Sequence, residues 1–285
     1  MAAIFGLSRS GYYKHLRNGL SKRETENLAV EAEIIRIFHE FREEYGAHRI
    51  KPELAKLGLV VSKRRINRLM AKNGLVTKAR KKFKVTTTQS NKPYRVADNL
   101  LNQNFKVHAP NVAWVGDITY VRTEQGWLYV ATVIDLFSRK VIGLAMSQRI
   151  KTDLVLRALN QAIKRRKPQS GLVIHSDRGS QYTSKAYWKF TQKHGLKVSM
   201  SGKGCCYDNA VAESFFHTLK LAVVHGQSYQ TRDQATRCIF EYVECFYNLK
   251  RAHSTLNYLS PNEFELNYEQ KMKQNHPKAN CLLKC

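Results

Sequence analysis

The 285-residue chain has ordinary globular composition, 43% hydrophobic and 10% aromatic, enough for one sizeable core and one or two smaller domains. Its 48 Lys and Arg against 22 Asp and Glu give a formal net charge of +26, far beyond what solubility requires, so a polyanion is the expected partner and nucleic acid leads. No apolar run approaches the roughly 18 residues of a membrane span and the first residues carry no cleavage-site pattern, which excludes a membrane-embedded role and gives the expectation of a soluble, cytoplasmic protein.

The charge is concentrated. Residues 45–97 hold fifteen Lys or Arg and one acid, Glu53, so more than half of the net charge lies there. From Glu26 to Glu44, Ile34, Ile35, Phe38, Phe41 and Tyr45 recur at helical spacing with acids between them, the pattern of an amphipathic helix. A shorter helix through Ile50, Leu54 and Leu57 ends at Gly58, with Pro52 disturbing its first turn. In VVSKRRINRLMAKNGL, Ser62 is an N-cap, Ile66, Leu69 and Met70 form one face, and Gly74 is a C-terminal cap. The other face carries Arg64, Arg65, Asn67, Arg68 and Lys72. Short helix, turn and basic helix make a helix-turn-helix reader over residues 23–76; Asn67 and Arg68 have base-reading chemistry, and the others suit phosphates. A solvated basic face is the competing explanation.

Residues 77–108 are a basic linker. Its first 21 residues hold seven basic side chains and no acid, and Lys81, Lys82 and Lys84 are candidate phosphate contacts. Beyond it the pattern changes to strands at 113–121, 127–135 and 139–146, a helix at 152–166, a strand at 172–175, a helix near 184–194 and a strand at 196–200. A mixed α/β layer follows from that order. NAVAESFFHTLKL is a further helix with Ala212, Phe215, Phe216 and Leu219 on its apolar side. Near the end, Thr231 and Gln234 form a capping box, Ile239, Tyr242, Val243 and Phe246 give a helical stripe, and Ser260, Pro261 and Glu263 read as N-cap, N1 and N3 of another helix. The six cysteines form no CxxC pair and have no histidine at finger spacing, so free thiols are expected.

Asp117 lies inside the first strand, where Asp is disfavoured, on the face of Val115, Thr119 and Val121. Asp177 ends the fourth strand and Glu213 opens the following long helix, 36 positions on. Three carboxylates converging on two divalent ions are a recurring site for phosphodiester chemistry. The spacing itself does not discriminate, because Asp208 with Glu244 and Asp233 with Glu269 share it; those two Asp residues stand where helices begin and are explained as capping or first-turn residues. Asp135 is read as a strand-to-turn residue, and His175, Arg178 and Gln181 either position substrate or build the turn.

The motifs W-V-G-D-I-T-Y, V-I-D-L-F-S-R, H-S-D-R-G-S-Q-Y, G-K-G-C-C-Y-D-N-A-V-A-E-S-F-F and Y-N-L-K-R-A-H-S-T-L-N-Y-L-S-P closely resemble the second-reading-frame transposases of the insertion-sequence-three family, from about Gly11 to Phe264. The resemblance implies a ribonuclease-H-like core, a five-stranded mixed α/β sheet flanked by helices with its first and fourth strands adjacent, preceded by a small all-α helix-turn-helix domain. It places the family's Asp, Asp, Glu triad on Asp117, Asp177 and Glu213, with Mg²⁺ as cofactor and Mn²⁺ able to substitute. It implies cleavage and strand transfer of double-stranded DNA, element terminal repeats into target, by a homo-oligomer associated with the bacterial nucleoid. His217 and Lys220, on the face of Glu213, are assigned to DNA near the reacting phosphate. Tyr120 and Tyr182 are packing or DNA-contact aromatics, because no covalent nucleophile is required. Arg251 and His253 lie near the site or serve structure. The domains implied are 1–22, the end of a helical motif; 23–76; 77–108; a core at 109–225; a helical extension at 226–268; and a tail at 269–285. The opening residues imply cooperation with, or fusion to, an upstream-frame product. Gly116, Cys205, Ala222 and Asn257 depart from the family's usual Thr, Asn, acid and Gly. A catalytically silent DNA-binding regulator and a metal-dependent nuclease without joining activity are the competing functions.

Overall fold

A serine followed three residues later by glutamate starts the first helix. In the computed structural model, the Ser21 hydroxyl accepts the Glu24 N–H and the Glu24 carboxylate accepts the Ser21 N–H, a complete capping box on α1 (Lys22–Glu40). The structure describes residues 21–77, 95–202, 206–224 and 227–275, with Ser8, Ser10, Gly11 and Tyr13. Two compact units emerge, Met1–Arg80 and Lys81–Cys285.

In the first unit, α1 buries Val30, Ile34, Ile37 and Phe38. It stops before Arg42 and Glu43, both at positive φ, four residues short of the sequence expectation at Glu44. Helices α2 (Ala47–Lys56) and α3 (Lys63–Lys72) complete the bundle with Ile50, Leu54, Ile66 and Leu69 fully or nearly buried. Pro52 falls inside α2 rather than in its first turn, because the helix begins at Ala47. Ser62 caps α3 through the Arg65 N–H. At its end Gly74, at φ 63°, lets Leu75 N–H reach the Met70 carbonyl at 2.9 Å, a Schellman closure.

The second unit is built on one five-stranded sheet of order β3-β2-β1-β4-β5. The strands β1 (Ala113–Thr123), β2 (Gly126–Asp135) and β3 (Val141–Ser147) form an antiparallel meander; β4 (Val173–Ser176) and β5 (Lys197–Met200) add in parallel. The expected adjacency of the first and fourth strands is present, but only Ala113–Val115 of β1 pair with β4, so beyond that point this edge of β1 is free of strand pairing. Helices α4 (Thr152–Arg166) and α5 (Lys185–Lys193) share a core with alternate strand residues: Trp114, Ala131, Val133 and Ile142 pack with Leu154, Val155, Ala158, Leu159 and Tyr187. Gly143 is required here by close approach, since a Cβ on it would lie 2.2 Å from the Ala158 carbonyl oxygen of α4.

Residues of the opposite parity, among them Val115, Asp117, Thr119 and Val121, belong to the other face. Helices α6 (Ala210–Val223) and α7 (Arg232–Glu241) contact β1, and α7 also contacts β2. Helix α7 runs into a six-residue π-helical turn, Tyr242–Tyr247, which the α-periodic stripe did not announce. After it the Asn248 amide spans the Val141 backbone, accepting from N–H and donating to C=O at 2.9 Å each. The Ser260–Glu263 capping box forms as expected at the head of α8 (Pro261–Asn275). Asn257, where the family usually has Gly, adopts left-handed backbone at φ 54°, one of the few side chains that do so readily.

Candidate active site

Asp117 stands midway along β1, opposite Thr132, and its Oδ1 accepts the Ile118 N–H at 2.7 Å. Its pKa is pushed up to about 8, first by burial, then by the Asp177 charge and, more weakly, by Glu213, against hydrogen bonds from Ile118 and the Asn209 amide. Asp177 is the first residue beyond β4, and its Oδ1 accepts the Gly179 N–H at 2.9 Å. A Cβ on Gly179 would lie 3.0 Å from that same oxygen, so the glycine of D-R-G is what lets the turn close around the carboxyl. Surrounding protein desolvates Asp177 and raises its pKa, although the residue is open to solvent on one side. Glu213 sits exposed in the first turn of α6, and desolvation raises it too. Charge coupling thus links all three carboxyls through Asp117. Among the described residues, however, no three His, Cys, Asp or Glu side chains are gathered closely enough to enclose an ion.

Asp208 and Asn209, adjacent in a 3₁₀ turn before α6, have separate tasks. Asp208 is a first-turn residue, as expected, rather than a cap: its Oδ2 accepts the Gly202 N–H at 2.8 Å and the Asn99 amide at 2.9 Å, fastening the turn to strand-end and linker residues. These donors, Gly202 first, hold its pKa below the usual carboxylate value. Asn209, 6% exposed, donates to Asp117 while its own Oδ1 is buried without a hydrogen-bond partner. Sequence reading missed Asn209; its only signal was the position four residues before Glu213, facing the same way on a helix.

His175 is fully buried, its ring nitrogens 2.8 Å from Ser199 Oγ and 3.2 Å from Ser201 Oγ, and burial lowers its pKa to about 4. It builds the strand end as a neutral group. Arg178 Nε donates to the Ser201 carbonyl at 2.7 Å, closing the same corner. Tyr182 packs over Gly116, whose Cβ position would be 3.6 Å from the phenol oxygen. Burial, then the Asp117 and Asp177 charges, keep its hydroxyl protonated and hence a poor nucleophile. Asp135 is fully buried and accepts the Asn111 and Phe137 N–H groups at 2.9 Å each, a turn-building role.

On α6, His217 is exposed and Lys220 reaches 5.0 Å from the Tyr120 ring centre. Burial lowers the Lys220 pKa and the Asp117 charge opposes that. In the first unit Arg64, Asn67 and Arg68 are exposed on α3. Arg65 and Lys72 turn back toward α1: Arg65 Nε donates to Asn27 Oδ1 at 2.8 Å, and Lys72 Nζ lies 2.9 Å from Glu31 Oε2. Lys81, Lys82 and Lys84 lie outside the described residues. Arg251 is buried over the Tyr247 ring at 5.9 Å. Cys238 and Cys245 are free thiols; the other four cysteines have no described side chains.

Comparison with known proteins matches residues 24–83 to an HTH-like domain and residues 107–206 and 213–268 to integrase core domains. The class is therefore an integrase-core enzyme joined to a helix-turn-helix unit. The chain is 43% identical over 270 residues to the insertion element IS600 uncharacterized 31 kDa protein of Shigella sonnei, covering 95% of this chain and 99% of that one. It is 40% identical over 267 residues to the transposase InsF for insertion sequence IS3A of Escherichia coli, covering 93% and 92%. Among solved structures, a simian T-cell lymphotropic virus intasome chain aligns over 60% of this chain and 59% of its own, at 16% identity and a TM-score of 0.48. The chain belongs to the insertion-sequence-three family of transposases.

Proposed function

We propose that Asp117, Asp177 and Glu213 are the catalytic carboxylates with which this transposase cleaves element ends and transfers them into target DNA. The observation that supports this most is the coupling at Asp117, one carboxyl of a mid-strand Asp sensing the charges of both others. Their hard carboxylate oxygens are the donor type that suits Mg²⁺, with Mn²⁺ as substitute, and the same three residues would hold it once drawn together around the ion. When bound, a divalent pair supplies charge stabilisation and lowers the pKa of the attacking hydroxyl. The protein's own part is orientation. The Ile118 and Gly179 N–H groups fix the two Asp rotamers, and the Asn209 amide steadies Asp117 from the turn before α6. His217 and Lys220 hold phosphates beside Glu213. Water as attacking group gives cleavage and a DNA 3′-hydroxyl gives strand transfer, so one site serves both.

The division of labour follows the chain. Residues 23–76 and the linker at 77–108 hold DNA, through Arg64, Asn67 and Arg68 on the open face of α3, with Arg65, Lys72, Lys81, Lys82 and Lys84 adding phosphate contacts; residues 109–225 react, and 226–268 buttress them. Self-association on DNA, cooperation with an upstream-frame product and a cytoplasmic, nucleoid-bound location rest on family membership. The test is joining of a labelled donor end to target DNA by the whole chain, present with Mg²⁺ and absent with chelator; joining that survives chelation would overturn the metal assignment.

Asp208 carries a separate expectation. Asp208→Ala leaves the Gly202 N–H and the Asn99 amide without their acceptor and loosens the turn that presents Asn209 and Glu213. Single-turnover joining should fall by about 10- to 100-fold, the scale seen when groups that orient metal ligands are removed. DNA affinity should change little; a loss confined to affinity would contradict this role.

A further inference from the structure

The outer end of the β1–β2 hairpin carries an aromatic and cationic ledge. Tyr120 and Trp127 meet edge to face, ring centres 5.0 Å apart at 82°. Arg122 pairs directly with Trp127 across the strands, its guanidinium 5.9 Å from the indole centre, and Lys220 lies over Tyr120 from α6. Trp127 is 43% exposed, whereas Trp114 on the same sheet face is wholly buried. Cross-strand stabilisation alone accounts for the Tyr120–Trp127 pair, but not for so much indole surface left in water beside Arg122. Glu124, at the turn, is the only acid in residues 118–131.

We propose that this ledge is a stacking platform for an unpaired base of the DNA strand whose phosphate reacts. The inference rests on Asp117, Asp177 and Glu213 being the reaction centre. Aromatic faces flanked by cations are the chemistry of single-stranded nucleic acid, because a paired base already spends its π-face on its neighbours. Position agrees. Tyr120 is three residues beyond Asp117, roughly 10 Å along β1 but on the opposite face of the sheet, so a strand reaching it in about three base steps at the ~3.4 Å spacing of DNA passes over the unpaired edge of β1. Lys220 joins the two places, since its ammonium feels the Asp117 charge while lying over the Tyr120 ring. The edge of β1 between them is free of strand pairing, so a nucleic-acid strand can run along it. Arg232, whose Nε donates to the Trp127 carbonyl at 3.1 Å and whose guanidinium also binds the Gln125 carbonyl, keeps the hairpin end in place.

The test compares binding of a blunt duplex with that of the same duplex bearing an unpaired overhang, using the full chain at fixed salt. The wild type should prefer the overhang by about tenfold, the scale of stacking one base on one aromatic ring. Trp127→Phe should keep most of the preference and Trp127→Leu, apolar but without a π-face, should lose it. The readout is a ratio of two affinities on the same protein, so a smaller folded fraction does not alter it. No preference in the wild type, or equal preference in the Leu and Phe variants, overturns the ledge. If instead Asp177→Asn joined DNA as well as the wild type, the reaction centre would be wrong whatever the ledge does.

Discussion

Asp177→Asn should abolish joining, by on the order of a thousandfold or more, while DNA binding and its salt dependence persist. Asparagine has the same shape, and its Oδ1 can still accept the Gly179 N–H that orients Asp177, so the D-R-G turn should survive. What disappears is one negative charge of the three coupled through Asp117. Divalent-metal stabilisation of a phosphoryl transition state is worth several kcal/mol, and about 4 kcal/mol is a thousandfold in rate. A melting experiment gives an independent readout. Removing a desolvated carboxylate whose charge also burdens Asp117 should leave stability in chelator unchanged or raised, and Mg²⁺ should stabilise the wild type but much less the variant. The same assay separates the competing functions: a silent regulator binds ends without cutting, and a plain nuclease cuts without joining. Full joining by the variant would sink the assignment of Asp177.

Much of this geometry was legible because it follows from local rules. Helix α4 was delimited at both ends by its apolar period, and the face of Asp117 by alternation alone. Family order then supplied what periodicity lacks, the pairing of β1 with β4 that brings two strand-borne carboxyls together. Most of what local rules left out consists of contacts between residues distant in sequence. Asp208 stands in a first turn as expected, yet no local rule shows that its acceptor is used by Asn99, 109 positions away. The π-turn at Tyr242–Tyr247 hides in an apolar stripe that suits either helix, and the Asn248 clasp on Val141 spans 107 positions. Arg65 and Lys72 keep their place on α3, but α3 alone does not reveal that Asn27 and Glu31 of α1 stand beside them. Composition shows how much charge a helix carries, whereas packing decides which charges it can lend to DNA.

Glu265 carries the largest stability effect expected in the second unit, and nothing in the sequence marked it. Its buried carboxylate accepts Ser138 Oγ at 2.6 Å and Arg166 Nη2 at 2.5 Å, with Lys140 Nζ at 3.2 Å, and so ties α8 to the β2–β3 turn and to the end of α4. Burial alone would raise its pKa; Arg166, Ser138 and Lys140 outweigh that and hold it below the usual glutamate value. Neighbouring Asp135 shifts the other way, raised chiefly by burial. Glu265→Gln leaves the half-buried Arg166 guanidinium without its counter-charge, and breaking a largely buried pair from one side costs about 3 kcal/mol. For a unit of this size that is a fall of roughly 6–12 °C in melting temperature near neutral pH. Because the folded pKa is depressed, the wild-type advantage is complete above the unfolded value of about 4.3 and is lost as pH falls through the folded pKa. The gap between wild type and variant should therefore be constant from about pH 7 to 5 and narrow below about pH 4. Asp135 remains in both proteins, so its opposite titration largely cancels in the difference. Equal melting temperatures at neutral pH would show that the Glu265 cluster contributes packing without net electrostatic stabilisation.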